Sequence, residues 1–284
     1  AILILMRIKR LGLKNYRNLG SVELVFPSIK TLIIGKNAQG KTNILESIYF
    51  LSDLKSPRTS SVADLIKFGE EKFEIEADIE KNNTDIELDF SYDTEKKREI
   101  KINKVKARVK DFKSVIKTVL FSTKDLLLLR GTPQDRRDWL DRAISQIYPA
   151  YDERLSKYDK IRIQKNNLLK NEIIDEALYD IYNEQLVITG ANIIFLRKKF
   201  LKEIQKIASQ KHKIISDTEE FGLNYTCPCE DIDAISEYLK NELQERRREE
   251  FARKQSCVGP HRDDIQFTIN GLDATKFASH GQQR

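Results

Sequence analysis

Gly35-Lys36-Asn37-Ala38-Gln39-Gly40-Lys41-Thr42 is the stretch of this sequence that decides its fold. It has the pattern G-x-x-x-x-G-K-T, in which glycines permit backbone angles that other residues resist and successive N–H groups line a concave anion site. A lysine at this position reaches the β- and γ-phosphates of a nucleoside triphosphate, and the following hydroxyl holds Mg²⁺. We therefore expect this loop to bind ATP, with Thr42 as a magnesium ligand.

The sequence around this loop has the order that the motif requires. Lys30–Ile34 is a short apolar run of β-prone residues, which predicts a buried strand before the loop. The following residues place Ile44, Leu45 and Ile48 on one face of a helix. A strand, a glycine loop and a helix N-terminus in succession also let the helix dipole favour phosphate.

The charge balance permits a nucleic-acid partner without demanding one. The chain has 284 residues, and its 50 Lys+Arg against 44 Asp+Glu give a formal net charge of +6. Such a moderate excess fits nucleic-acid binding, but solvated helix faces also account for many charges.

The number of cysteines and the length of the apolar runs bear on the cellular compartment expected for the protein. An odd count of three, Cys227, Cys229 and Cys257, argues against a disulfide framework and predicts a reducing, cytoplasmic setting. Zinc binding by these thiols with His261 is an alternative to ordinary buried thiols, although the spacing matches no standard zinc module. No apolar run is long enough to span a bilayer, so no membrane partner is predicted. Met6 resembles a natural start, with residues 1–5 as an added or strand-extending segment.

Hydrophobic periodicity predicts an α/β chain in which a helical segment interrupts a strand-rich lobe. Segments of alternating polarity, such as 73–79 and 86–90, indicate an antiparallel sheet with one solvated side, and Ser114–Phe121 is a further strand candidate. Helical periods begin near residues 134, 175 and 231, the first after a Thr132-Pro133 start signal. We predict an ATPase lobe from residues 1–130 and 255–284 and a helical lobe from residues 131–254.

Several charged or aromatic residues have two interpretations. Arg136-Arg137 and Arg246-Arg247-Arg248 either contact DNA phosphates or form ion pairs on helix faces. The run His261-Arg262-Asp263-Asp264 is either a catalytic or magnesium-binding cluster or a turn tied by Arg–Asp pairs. For Trp139 a core position is favoured over a base-stacking platform.

The end of the chain adds a second motif to the loop. Ser279-His280-Gly281-Gln282-Gln283-Arg284 resembles the signature motif of ABC-type ATPases in the form found in the RecF recombination-mediator family. Further blocks are similar to the same family in the same order, among them Leu13–Asn18, Gly131–Asp141 and Val258–Asp264. This resemblance extends from about Met6 to Arg284.

The resemblance implies a P-loop, ABC-type ATPase head with an antiparallel β-subdomain and an inserted helical lobe, like the heads of SMC proteins. It implies that two protomers enclose ATP, with residues 35–42 on one side and Ser279, Gly281 and Gln282 of the other protomer at the γ-phosphate. It also implies a bacterial, cytoplasmic DNA replication and repair protein linked to the SOS response. Such a protein binds duplex or gapped DNA and acts with RecR- and RecO-type partners to load the RecA recombinase.

One part of the expected ATPase is not found in the sequence. Family members are weak DNA-dependent ATPases that need an apolar strand ending in paired acids, and no such segment occurs here. Enzymatic turnover and the catalytic residues are therefore left open. Two other functions compete with a recombination mediator: a small-molecule phosphotransferase with the same loop, and a non-hydrolysing binder whose nucleotide only stabilises the fold.

Overall fold

The computed structural model describes residues 6–122, 125, 128–148, 150–216 and 218–278. These residues form two compact units, residues 1–120 and residues 121–284, each with its own hydrophobic core. None of the helices in the described part of the chain combines the length and the apolarity that a membrane crossing requires.

The first unit is built on a six-stranded antiparallel sheet with the order β2-β1-β3-β4-β5-β6. Its strands are β1 (Met6–Tyr16), β2 (Leu19–Val25), β3 (Lys72–Lys81), β4 (Thr84–Asp93), β5 (Arg98–Ile102) and β6 (Val105–Lys106). Buried and exposed side chains alternate along β3, where Phe73, Ile75 and Ile79 have no exposed surface. The predicted meander is confirmed, because this period of two buries one face of the sheet and leaves the other face to charged residues.

The buried face of the sheet is covered by helix α1 (Lys41–Asp53), with α2 (Val109–Val115) and a 3-10 turn (Val62–Leu65) completing the unit. Phe50 of α1 makes edge-on contacts with Phe73 and Phe90, at centroid distances of 6.1 and 4.8 Å. Aromatic pairs in this geometry add to the free energy gained from burial. The helix that begins at the phosphate loop is thus fixed to the sheet.

Two strands that the sequence predicted are not formed. Residues 30–34 are irregular, with Leu32 and Ile34 more than 80% exposed. The predicted strand Ser114–Phe121 instead begins as the end of α2, and Val119 is fully exposed. A strand is stable only when a neighbour accepts and donates its backbone hydrogen bonds, and within the described ranges no strand pairs with either segment.

The second unit packs long helices against a small sheet of order β7-β8-β9. Its elements are α3 (Pro133–Ile147), α4 (Tyr151–Leu168), α5 (Glu176–Ile215), β7 (Phe221–Tyr225), α6 (Ile232–Glu245), α7 (Arg247–Arg253), β8 (Ile265–Ile269), β9 (Leu272–Asp273) and α8 (Ala274–Phe277). The predicted start of α3 is confirmed: Thr132 and Asp135 form a reciprocal capping box, and Pro133 occupies the first turn. Asn270 and Gly271, both with positive φ, form the hairpin turn that joins β8 and β9.

The described residues after 254 were predicted to belong to the ATPase lobe with residues 1–130, but they belong to the second unit. Strand β8 pairs with β7 from Ile265↔Tyr225 to Ile269↔Phe221, and its apolar side packs with the helices of the second unit. Strand β7 was not predicted, so the sequence offered no neighbouring strand for β8 in the helical lobe. Residues 255–284 were therefore assigned to the first lobe. The predicted third helix also divides at Arg246 into α6 and α7.

Candidate nucleotide site

The phosphate loop turns directly into α1, whose first residue is Lys41. Gly40 precedes the helix with a left-handed φ of 89°, and a Cβ atom there would lie 2.5 Å from Cδ2 of Leu19. Only glycine tolerates both the backbone angle and the close neighbour. Residues 35–39 are exposed, so the loop is held from one side and open to a ligand on the other.

Lys41 lies across the loop. Its Nζ donates to the carbonyl oxygens of Gly35 at 2.7 Å and Lys36 at 2.6 Å. The ammonium group therefore stands at the open side of the loop, where a phosphate bound by the N–H groups would meet it. Thr42 is exposed in the first turn of α1, and its predicted role as a magnesium ligand stays a prediction.

Asn18 connects the loop to the sheet, a role that sequence analysis missed. It lies in the turn between β1 and β2, and its Nδ2 donates to the Ala38 carbonyl at 2.8 Å. Its Oδ1 accepts from Nδ2 of Asn43, on α1, at 2.6 Å. Asn18 belongs to the block Leu13–Asn18 that resembles the RecF family, and that block was the available signal. One side chain thus ties the loop and the helix to the same hairpin.

A buried carboxylate lies behind the loop. Glu46, on α1, is 2% exposed and accepts from Arg17 at 2.7 Å, from Arg58 at 3.1 Å and from Ser56 at 2.5 Å. Burial alone would raise the pKa of Glu46, but the Arg17 and Ser56 hydrogen bonds and the arginine charges hold this pKa below its usual range. Arg58 also donates to Oδ1 of Asn43 at 2.6 Å. The first turns of α1 are therefore fixed on two sides.

The other half of the expected site is not placed by the structure. Ser279, Gly281 and Gln282 lie outside the described residues, of which the last is Ala278. Their predicted position at the γ-phosphate of a second protomer stays a prediction.

The arginine pair of α3 is a structural element. Arg136 is 6% exposed and donates to both carboxylate oxygens of Asp264, at 2.7 and 2.6 Å. Arg137 is 8% exposed and donates to the Asp263 carbonyl at 2.6 Å. Both side chains are withdrawn from solvent, so the structure differs from the predicted ion pairs on a helix face: Arg136 pairs with distant Asp264 and Arg137 bonds to a carbonyl group. Direct contact of this buried pair with DNA phosphates is not supported.

The run from His261 to Asp264 is a turn in which Arg262 is exposed and the other three residues are partly buried. His261 shares a 2.6 Å hydrogen bond with the Tyr158 hydroxyl, and burial lowers its pKa to about 3. Asp263 accepts from the Tyr225 hydroxyl at 2.8 Å, and burial raises its pKa despite that bond. In the described part of the chain no three His, Cys, Asp or Glu side chains are arranged to hold a metal ion. The structural interpretation of this run accounts for its contacts.

Arg197, which sequence analysis did not single out, is the centre of this buried network. It is 2% exposed and forms a two-bond contact with Asp141 at 2.9 Å for each bond. Its Nη1 also donates to the Tyr225 hydroxyl at 2.9 Å and to the Pro260 carbonyl at 2.6 Å. One guanidinium thus joins α3, β7 and the turn before β8.

Most of the remaining candidates also have structural contacts. Arg246 pairs with Glu242 at 3.0 Å, Arg247 pairs with Glu176 and Asp180 at 2.8 Å, and Arg248 is exposed. Trp139 packs into the core beside Phe267, as predicted. Cys227 and Cys257 are buried free thiols, and burial raises the pKa of Cys227 to about 11.

Comparisons with known proteins agree with this architecture. The family model of the RecF/RecN/SMC N-terminal domain matches residues 7–283. The DNA replication and repair protein RecF of Thermosynechococcus vestitus is 39% identical over 98% of this chain and 76% of its own length. The corresponding values for RecF of Streptococcus gordonii are 40%, 98% and 78%. The chain therefore spans about three quarters of each relative.

Solved structures give the same result. The structure of the recombination mediator protein RecF-ATPrS in the RecFOR pathway has a TM-score of 0.93 and 33% identity, covering 98% of this chain and 78% of that one. The RecF-ATP structure has a TM-score of 0.91 and 33% identity, covering 98% and 77%. The fold and the loop thus define a P-loop ATPase head of the RecF and SMC class, as predicted.

Within that class, the matches to RecF proteins cover 98% of the chain and identify one family. The chain belongs to the RecF family of DNA replication and repair proteins.

Proposed function

We propose that this protein is an ATP-dependent, DNA-binding recombination mediator that binds ATP and Mg²⁺ through residues 35–42. The observation that carries the proposal is the exposed loop anchored by Asn18 and Gly40, with the Lys41 ammonium at its open side. The loop N–H groups would surround the phosphates, Lys41 would exchange its carbonyl partners for phosphate oxygens, and Thr42 would bind the metal ion. The RecF-ATP structure, which is 33% identical, supports ATP as the ligand.

The same proposal includes a nucleotide-dependent dimer. Ser279, Gly281 and Gln282 of one protomer would contact the γ-phosphate held by the loop of the other. ATP then favours the closed dimer because ADP lacks the group that both protomers bind. The closed dimer would bind duplex or gapped DNA in the bacterial cytoplasm and act with RecR- and RecO-type partners to load RecA during repair and the SOS response. The names of the relatives support the DNA repair role.

Sedimentation velocity with Mg-ATP and with Mg-ADP tests the proposal. We expect a dimer with ATP, a monomer with ADP, and a monomer in both nucleotides for Lys41→Ala. Lys30→Ala, which removes an exposed lysine outside the loop, is the matched control and should dimerise like the parent. Equal masses of the parent protein in ATP and ADP would contradict the dimer, and an ATP-dependent dimer of Lys41→Ala would contradict the assigned loop.

A further inference from the structure

Four lysines form a line along the C-terminal half of α5. Lys199, Lys202, Lys206 and Lys213 are all exposed and follow one another at spacings of three, four and seven residues. At 3.6 residues per turn these positions fall within an arc of about 60°, and at 1.5 Å per residue they extend over about 21 Å. We call these four residues the lysine stripe.

The ammonium groups of the lysine stripe have no acidic partner among the described residues. One of them has an aromatic neighbour: Nζ of Lys199 lies 5.8 Å from the ring centre of Tyr148. Glu203 lies between Lys199 and Lys206 on the helix, yet within the described ranges it forms no ion pair with either of them. The four positive charges are therefore available to an external anion.

Four surface lysines on the sheet of the first unit differ from the lysine stripe, because they form ion pairs. On its sheet each of four lysines has a carboxylate within 3.1 Å, and these pairs are Lys9–Asp85, Lys72–Glu74, Lys101–Glu99 and Lys104–Glu87. Even on α5, Lys198 donates to two carbonyl groups and pairs with Glu230 at 2.8 Å. These five lysines have acidic partners, which the lysine stripe lacks in the described part of the chain.

The charge of the chain is concentrated in the same segment. Residues 199–213 contain five lysines and one Glu, a net charge of +4. This count leaves out Arg197 and Lys198, which have acidic partners. Arg154 of α4 adds another exposed cation beside it, because its guanidinium donates to Oδ1 of Asn192 at 3.4 Å, one heptad before Lys199. A field of one sign along a helix attracts a polyanion.

We propose that the lysine stripe binds the phosphate backbone of duplex DNA, an inference that rests on the proposed DNA-binding function and locates its surface. Over about 21 Å of helix axis, one strand of B-DNA presents roughly six phosphates. Lysines bind phosphates as point charges and read no base sequence. The face contains Ser209 and Gln210 between its lysines, whereas the exposed Ile207 and Ile214 lie on a neighbouring face. Four cations in a row without an acidic partner among the described residues suit a polyanion, so the charges favour nucleic acid.

Fluorescence anisotropy of a labelled duplex oligonucleotide, with ATP present, tests this surface. The test variant carries Lys199→Gln, Lys202→Gln, Lys206→Gln and Lys213→Gln. The control variant loses the same number of charges from the first unit and carries Lys9→Gln, Lys72→Gln, Lys101→Gln and Lys104→Gln. Affinity is measured from about 50 to 200 mM NaCl, because each neutralised phosphate contributes about −0.9 to the slope of log affinity against log salt.

We expect the stripe variant to bind at least about tenfold more weakly at the lowest salt and its slope to be smaller in magnitude by about 3 to 4. The control should keep the slope of the parent, since its lysines have carboxylate partners. A second test variant with arginine at the four stripe positions keeps the charges and should keep the slope. ATP-dependent dimerisation should be unchanged in each variant.

Equal affinity and slope in the stripe variant and the control would overturn the assignment while leaving the proposed function intact. Loss of binding in the arginine variant would also overturn it, because charge would then not be the property that matters. If the parent with ATP binds no duplex at any salt, the DNA-binding function fails together with this surface, whereas the dimerisation assay still reports on ATP binding separately.

Discussion

The two units of the molecule use a cation in opposite ways. In the phosphate loop, Lys41 donates to two carbonyl groups of an exposed turn. In the second unit, Arg197 is buried and donates to a carboxylate, a hydroxyl group and a carbonyl group. Carbonyl partners on an exposed loop can be exchanged for a phosphate, whereas a buried ion pair cannot be exchanged without a large cost. The comparison separates a cation kept available for a ligand from one used only to hold the fold.

The largest effect is expected from removing the buried cation. Arg197→Met leaves Asp141 without its cation and the Pro260 carbonyl without its guanidinium donor, which should lower the free energy of unfolding by about 3–5 kcal/mol. Urea denaturation measures the change. Lys211→Met, at an exposed position of the same helix, should stay within about 0.5 kcal/mol of the parent. A loss below about 1 kcal/mol for Arg197→Met would show that the network does not hold the unit together.

A smaller effect is expected at the loop, where stability should change little and affinity should fall. Asn18→Ala removes the bonds to Ala38 and Asn43, so the free energy of ATP binding should weaken by about 1.5–2 kcal/mol, roughly 10–30-fold. Titration calorimetry measures the affinity. Asn15→Ala, in the same hairpin but bonded to Glu70, is the control and should bind like the parent. Parent-like affinity of Asn18→Ala would mean that the loop keeps its shape without the hairpin.

Protonation provides a third way to break the buried network. His261 stays neutral in the folded protein because burial lowers its pKa to about 3. In the unfolded chain the pKa of this side chain returns to its ordinary value of 6.5, so the imidazole takes up a proton near that pH. The extra proton bound by the unfolded state lowers stability as the pH falls below about 6.5. Between about pH 7.5 and 5.5 the loss should be about 1.4 kcal/mol. His261→Asn should remove this dependence and His212→Gln should keep it, with urea denaturation at each pH as the measurement.

The smallest effect tests an exposed contact of the second unit. Thr132→Ala removes the side-chain half of the capping box on α3 and should cost about 1 kcal/mol of unfolding free energy. Thr132→Ser keeps the hydroxyl and should cost only a few tenths of a kcal/mol by the same urea assay. Equal stability of the alanine and serine variants would show that α3 is held by Arg136 and Arg137 rather than by its cap.

Local signals in the sequence predicted local structure. The glycine pattern gave the loop and the start of α1, the alternation of residues 73–79 and 86–90 gave two strands, and Thr132-Pro133 gave the start of α3. Each of these depends on backbone angles or on one buried face, and neighbours in the sequence determine both.

The elements and contacts that were predicted wrongly or not at all depend on partners distant in the sequence. Lys30–Ile34 has the composition of a strand but no paired neighbour in the part of the chain that the structure describes, whereas β7 has a partner 40 or more residues away in β8. Arg197 has the spacing of a helix-face residue, and only the fold brings Asp141 and Pro260 to it. Asn18 illustrates the same point in the site, since a turn residue became a contact to Ala38 only when the hairpin met the loop.

Helix α5 extends 40 residues without a break, which is about 60 Å of rigid rod. Arg197 fixes it near its middle, and Ile215 at its end lies about 27 Å further along the axis. In terms of leverage, a tilt of about 5° at Arg197 displaces that end by roughly 2 Å, a distance comparable to the length of a hydrogen bond. A tilt of α5 about the buried arginine would therefore produce its largest displacement at the end of the row of lysines.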